Sequence, residues 1–253
     1  MNLNGKVAVV TGSASGLGEA TARLFAASGA RVVVLDRSVE AGERVAAEIG
    51  GLFCETDVAG DESVSAAVNR AREQFGAVHV VVNCAGIATA KRMLGKEGPM
   101  ALGDFERVIR VNLVGTFNVC RLAAAAMAMN EADAAGERGV IVNTASIAGY
   151  EGQIGQTAYA ASKAGIVGLT LPMARELTKV GIRVCAIAPG LFDTPLLRAL
   201  PETVRTELGE SVPFPARLGD PAEFAALARH IVENSYLNGE VVRLDGALRM
   251  PPR

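Results

Sequence analysis

The sequence predicts an α/β protein: a doubly wound, parallel, seven-stranded sheet with helices on both faces. Three observations predict it. Seven short runs rich in Val, Ile and Leu recur along the 253 residues, and Ala-rich stretches with helical spacing separate them. Half of the residues are hydrophobic but only 4% are aromatic, so the core has to be aliphatic, as in a buried parallel sheet. Strands alternating with helices imply right-handed βαβ crossovers.

The first strand, 7–11, runs into Thr11-Gly12-Ser13-Ala14-Ser15-Gly16-Leu17-Gly18 and then a helix over 19–27. Glycines in such a turn let the backbone approach a pyrophosphate, whose charge meets free N–H groups at the helix N-terminus. By itself the turn is weak evidence, because a tight β-to-α joint is the alternative. After Gly29 the second strand, 31–36, ends on Asp36, eighteen residues past Gly18, where a carboxylate accepts hydrogen bonds from both adenosine ribose hydroxyls. The same charge repels a 2′-phosphate, so NAD is expected rather than NADP. Arg37 is a candidate clamp for NADP, but Asp36 holds the ribose-facing position and Ser15 is not basic.

A helix over 40–49 ends at Gly50-Gly51, and the third strand, 52–57, ends at Asp57-Val58, which either bracket the adenine or cap the strand end in solvent. Asp61 is expected to cap a helix over 62–75. The fourth strand spans 78–83, a long helix 105–129, the fifth strand 140–145, a helix 159–178, the sixth strand 182–188, a helix 221–233 opened by Asp220, and the seventh strand 240–244. Two segments exceed an ordinary connection, 87–103 and 191–219, and each follows the carboxyl end of a strand. The second carries Leu191, Phe192, Leu196, Leu197, Leu200 and Phe214, which either cover an apolar substrate as a lid or pack on the domain. No linker or composition shift divides the chain, so residues 1–253 are expected to form one domain.

Tyr159 and Lys163, four apart in a helix, share one face. The ammonium, together with an oxidised nicotinamide, is expected to lower the phenol's pKa toward general-base range. Ser146, thirteen residues upstream at a strand end, either holds the substrate oxygen or caps a helix. With only His79 and His230, and no Gly-x-Ser-x-Gly around Ser146, Ser-His-Asp chemistry is not expected. The net charge of −2 offers no footprint for nucleic acid or an anionic membrane. The four cysteines form no Cys-x-x-Cys, so neither metal ligation nor a disulfide framework is expected. No signal or transit segment precedes the first strand and no apolar run approaches a membrane span, so a cytoplasmic protein is expected.

Taken in order, Thr11-Gly12 with Gly16 and Gly18, Asn83-Cys84-Ala85-Gly86, Asn112, Ser146, Tyr159 with Lys163, and Pro189-Gly190 with Thr194 resemble the short-chain dehydrogenase/reductase family across essentially the whole chain. The resemblance implies a Rossmann-like domain with strand order 3-2-1-4-5-6-7 and a catalytic tetrad of Asn112, Ser146, Tyr159 and Lys163. It also implies that Lys163 binds the nicotinamide ribose and that Asn112 supports a proton-relay water. The cofactor contacts expected are Gly12, Ser15, Gly16, Leu17, Gly18, Asp36, Asp57, Val58, Asn83, Cys84, Ala85, Gly86, Tyr159, Lys163, Pro189, Gly190, Phe192 and Thr194. The substrate contacts expected are Ser146, Gln153, Tyr159, Leu191 and Leu196.

Stretches 112–119, 152–156, 188–192, 212–223 and 244–247 further resemble the subgroup that acts on 3-hydroxyacyl-CoA. That implies NAD-dependent interconversion of 3-hydroxyacyl-CoA and 3-oxoacyl-CoA by a homotetramer, with Lys91, Arg92 and Lys96 either meeting CoA phosphates or simply solvated. The tail 250–253 departs from the subgroup. The alternatives are a 3-oxoacyl carrier-protein reductase, a steroid or other alcohol dehydrogenase, and a dinucleotide-sensing or RNA-processing scaffold. Asp36 argues against NADPH-using reductases, and an intact tetrad against an inactive module.

Overall fold

The computed structural model describes residues 1–252, the Leu196 side chain excepted. Its strands are β1 (Val7–Thr11), β2 (Arg31–Asp36), β3 (Leu52–Glu55), β4 (Val80–Asn83), β5 (Leu94–Gly95), β6 (Gly98–Pro99), β7 (Gly139–Thr144), β8 (Ile182–Pro189) and β9 (Val241–Leu244). Seven of them form one sheet in the order β3-β2-β1-β4-β7-β8-β9, parallel throughout. Counted within the sheet, this is the expected 3-2-1-4-5-6-7. The short antiparallel pair β5–β6 lies within the long segment after β4.

Helices cover both faces, and the side-chain alternation along the central strands divides the core between them. Val7 and Val9 of β1 and Val33 and Leu35 of β2 pack with Val64, Val68, Val119 and Met127. Ala8, Val10, Val32 and Val34 turn the other way, onto Phe25, Val45, Phe224 and Ile231. This explains why the strands read as unbroken apolar runs: neither face meets water. On the first face lie α3 (Asp61–Phe75) and α5 (Gly115–Met127); on the second lie α1 (Gly16–Ala27), α2 (Val39–Ile49) and α9 (Pro221–Glu233). The remaining helices are α4 (Leu102–Ile109), α6 (Thr157–Leu177), α7 (Pro195–Arg198) and α8 (Glu202–Glu210).

Several local features differ from expectation. The long helix expected over 105–129 is α4 and α5 joined through a π-turn, Arg110–Val114, so its register shifts at Asn112. By length and composition Leu102–Met127 is apolar enough to cross a membrane, with a mean hydropathy of 1.2. Half of that window is buried inside the fold, which accounts for its apolar character. Asp61 is the first residue of α3, and Gly60 takes the cap position. Asp220 does cap α9, in a reciprocal box with Glu223. His79 accepts a hydrogen bond at Nδ1 from the Val7 N–H (3.1 Å), a structural link between the starts of two neighbouring strands. The segment 191–219 is broken at Pro201 into α7 and α8.

Candidate active site

All seven sheet strands point the same way, so the turns after β1, β2, β4, β7 and β8 converge on one edge, the usual ligand edge of an open α/β sheet. A cleft of about 750 Å³ runs along it. At one end the glycine turn brings two pieces of backbone together. A Cβ on Gly12 (φ +64°) would stand 2.7 Å from the Ala85 nitrogen, and one on Gly18 would stand 2.2 Å from the Gly12 oxygen. Thr11 fastens this junction, its Oγ1 accepting from the N–H groups of Cys84 and Ala85 at 3.1 Å each. Ser15 stands at the α1 N-cap without a side-chain cap, so the first N–H groups of the helix have no side-chain competitor at the cleft. Asp36 is held in place by the Ala14 N–H at Oδ2 and the Ser38 N–H at Oδ1, each 3.0 Å. These features fit a dinucleotide: a bare helix N-terminus for its phosphates and an anchored carboxylate for a ribose.

Gly12, Ser15, Gly16, Leu17, Gly18, Asp36, Asp57, Val58, Cys84, Ala85, Gly86, Pro189, Gly190, Phe192 and Thr194 all line this cleft, as do Tyr159 and Lys163. Asp57 also closes its own turn, Oδ1 accepting from the Ala59 N–H at 3.0 Å, while it lines the cleft. Asn83 is different. Its amide donates to Asn143 Oδ1 (2.9 Å) and toward Cys120 Sγ (3.3 Å), tying β4 to β7 beneath the cleft instead of facing it. Asn83 and Asn143 are paired across the parallel ladder, which turns the amides toward each other.

At the other end, the first two turns of α6 present Tyr159 and Lys163. The Lys163 ammonium donates to the Thr144 carbonyl at 2.7 Å and lies 5.8 Å from the Tyr159 ring centre. Burial lowers the Lys163 pKa to about 8. The Tyr159 phenol moves opposite to the sequence expectation: burial raises its pKa, and the Ser146 hydroxyl beside it only opposes that shift. In the protein alone desolvation wins, because the phenolate would be the charged form in an enclosed site. Ser146 caps a 3₁₀ turn, Ile147–Gly149, its oxygen accepting from the Ala148 N–H at 3.1 Å. A cap uses an acceptor site and leaves the O–H to donate, so the two readings of Ser146 are compatible.

Asn112 does not line the cleft. Its amide donates to the Ile87 carbonyl (2.9 Å) and Ser162 Oγ (3.0 Å) and accepts from the Ile87 N–H (2.8 Å), which uses both donors and one acceptor site of the side chain. It clamps the start of the 87–103 segment to α6, where Ser162 in turn donates to the Tyr159 carbonyl at 2.7 Å.

Beyond Ser146 the cleft wall becomes more apolar: Ile147, Leu191, Leu197 and Met250 line it together with Gln153. Leu196 lies outside the described side chains. Phe214, assigned above to the possible lid, is 82% exposed and covers nothing, whereas Phe192 is buried in the core. Of the basic cluster, Lys91 is paired with Asp104 at 2.5 Å, while Arg107, one turn after Asp104 on α4 and not singled out in the sequence, reaches the cleft. Thr144 and Met250 were also missed. The first acts through a backbone carbonyl, which no residue type announces, and the second comes from a strand-distant part of the chain.

The fold, the glycine turn and the Ser146–Tyr159–Lys163 group have their counterpart in a known class: the chain belongs to the short chain dehydrogenase family, which it matches over residues 6–205, and it is an oxidoreductase. Family membership implies a nicotinamide dinucleotide cofactor. More particularly, the chain is 57% identical to the 3-hydroxyacyl-CoA dehydrogenase type-2 of Bos taurus over 255 residues, 99% of this chain and 98% of that one. It is 54% identical to the protein of the same name from Drosophila melanogaster, over 97% and 98% of the two chains. The crystal structure of 3-hydroxyacyl-CoA dehydrogenase type-2 from Mycobacterium avium superposes with a TM-score of 0.95 at 47% identity, covering 98% of each chain.

Proposed function

We propose that this oxidoreductase uses NAD(H) to interconvert 3-hydroxyacyl-CoA and 3-oxoacyl-CoA within one cofactor- and substrate-binding domain, in fatty acid metabolism. The observation that carries the reading is the position of Ser146, Tyr159 and Lys163 between the dinucleotide cradle and an apolar pocket in one cleft. The nicotinamide, when bound, supplies the two-electron exchange at the carbinol carbon. Ser146 donates a hydrogen bond to the substrate oxygen, and Tyr159 takes its proton in oxidation or returns it in reduction. Lys163, tethered to the Thr144 carbonyl, offers its remaining donors to the nicotinamide ribose and its charge to the phenolate. Asn112 acts by holding the loop and α6 that frame the site. The anchored Asp36 supports NAD over NADP.

Initial rates with acetoacetyl-CoA, a carrier-protein thioester and a steroid ketone, each with NADH and NADPH, test this reading. The CoA thioester with NADH is expected to lead; preference for the carrier-protein thioester with NADPH overturns it. We further propose a homotetramer, supported by Val114, Phe117 and Leu171, which stay exposed on the α5 and α6 side, and a reducing, cytoplasmic location, supported by four free cysteines. Light scattering of the purified protein and cell fractionation check the two.

A further inference from the structure

The apolar end of the cleft is closed from an unexpected direction. After β9 the chain turns back, and Leu248 is buried against Ile147 and Val212 while Met250 packs on the same group and reaches the cleft wall. One carboxylate holds this return. Glu151 accepts from Arg243 of β9 through both oxygens (2.8 and 3.0 Å), from the Met250 N–H (3.3 Å), and pairs with Arg249 at 3.5 Å. Two further bonds fasten the same stretch of chain: Gln153 Nε2 donates to the Pro251 carbonyl (3.2 Å) and the Ile154 N–H to the Pro252 carbonyl (3.0 Å). Thus the segment 248–252 is laid against 147–154, directly after the Ser146 turn, and Met250 is the side chain it delivers to the cleft.

We infer that Met250 is the chain-length gauge of the substrate pocket, and that Glu151 is the residue that positions it. The inference rests on the proposed thioester substrate only for the choice of assay. A substrate whose oxygen lies at Ser146 and Tyr159 shares its cleft with Ile147, Leu191 and Met250, and the unbranched thioether of Met250 packs on the Ile147 group in that wall. Removing it opens room for further methylenes; replacing it with a ring closes the pocket earlier. Glu151 touches no substrate, and its effect passes through the backbone N–H of Met250.

The experiment compares kcat/KM for reduction of C4 and C10 3-oxoacyl-CoA by NADH. Met250→Ala is expected to raise the C10-to-C4 ratio by about tenfold or more, and Met250→Phe to lower it, in line with the ~10- to 200-fold weight of a methylene in an apolar pocket. Met250→Leu, which keeps the volume, should stay near the native ratio. Glu151→Gln should move the ratio in the direction of Met250→Ala and speed amide hydrogen exchange at Met250, a readout that a general loss of stability would not confine to this segment. Ratios unmoved in both the Ala and Phe variants overturn the inference. Native protein that reduces no 3-oxoacyl-CoA overturns the proposed function instead; the same variants are then compared on unbranched methyl ketones of four to ten carbons, where an unmoved ratio again defeats the role of Met250.

Discussion

The two ends of the cleft are built in opposite ways. At the dinucleotide end, each wall is a short turn directly after a strand, and backbone meets backbone so closely that Gly12 and Gly18 cannot accept a Cβ without displacing main-chain atoms. At the substrate end, the walls come from 87–90, 147–153, 191–197 and Met250, four stretches far apart in the chain and joined by side chains and single hydrogen bonds. The cofactor end is therefore fixed by close backbone contacts between strand-end turns, and the substrate end by side-chain packing between separate stretches. A common scaffold can then keep one cofactor while exchanging substrates.

Tyr159 stands at the seam of the two ends, and its removal tests whether they work as one site. Tyr159→Phe retains the ring and loses the proton carrier, so kcat is expected to fall by ~10² to 10⁴ while NADH binding persists. A steady-state assay beside a fluorescence titration checks it; near-native kcat would mean that chemistry belongs to another residue.

Lys163 sharpens the contrast, because the cofactor end gives up stability to bury it. Its pKa is lowered to about 8 in the folded protein from an ordinary 10.5. Below pH 8 it is charged both folded and unfolded, and the full cost of burying that charge is present. Between pH 8 and 10.5 the folded protein releases the proton first, and the cost fades as the pH rises. Relative to Lys163→Met, the native protein should therefore gain on the order of 3 kcal/mol across that window. Urea midpoints at pH 7 and pH 10 measure it, and parallel profiles for the two proteins would refute the burial argument.

Asp36 carries the smallest of these effects. NAD(H) should be preferred at least tenfold in kcat/KM, about 1.4 kcal/mol, and Asp36→Ala should relax the preference by weakening NAD more than NADP. If the variant loses both cofactors equally, Asp36 serves the turn through Ala14 and Ser38 and not the ribose.

The parallel sheet, its strand order and the positions of Gly12, Asp36, Ser146, Tyr159 and Lys163 were legible in the sequence because each rests on a short-range rule: an apolar run, a glycine turn before a helix, a spacing of four on one helical face. Where a rule needed the chain around it, the sequence reading went only partway. Asn83 and Asn112 carry the family's residue types, yet partners sixty and fifty residues away, Asn143 and Ser162, turn their amides into clamps beneath the cleft. The break of the long helix at Asn112 depends on a π-turn that no composition announces. Likewise the sequence pointed to Lys163 with an oxidised nicotinamide as what lowers the Tyr159 pKa; in the protein alone desolvation, which exists only once the chain has closed around the phenol, raises it. Met250 reaches the cleft through contacts with a distant stretch: its N–H donates to Glu151, ninety-nine residues earlier, and the chain around it is packed and bonded along 147–154. Local pattern thus determined the scaffold and the identity of the reacting groups, while burial and distant pairing, which arise only in the folded chain, decided which groups face the cleft and in what state of charge.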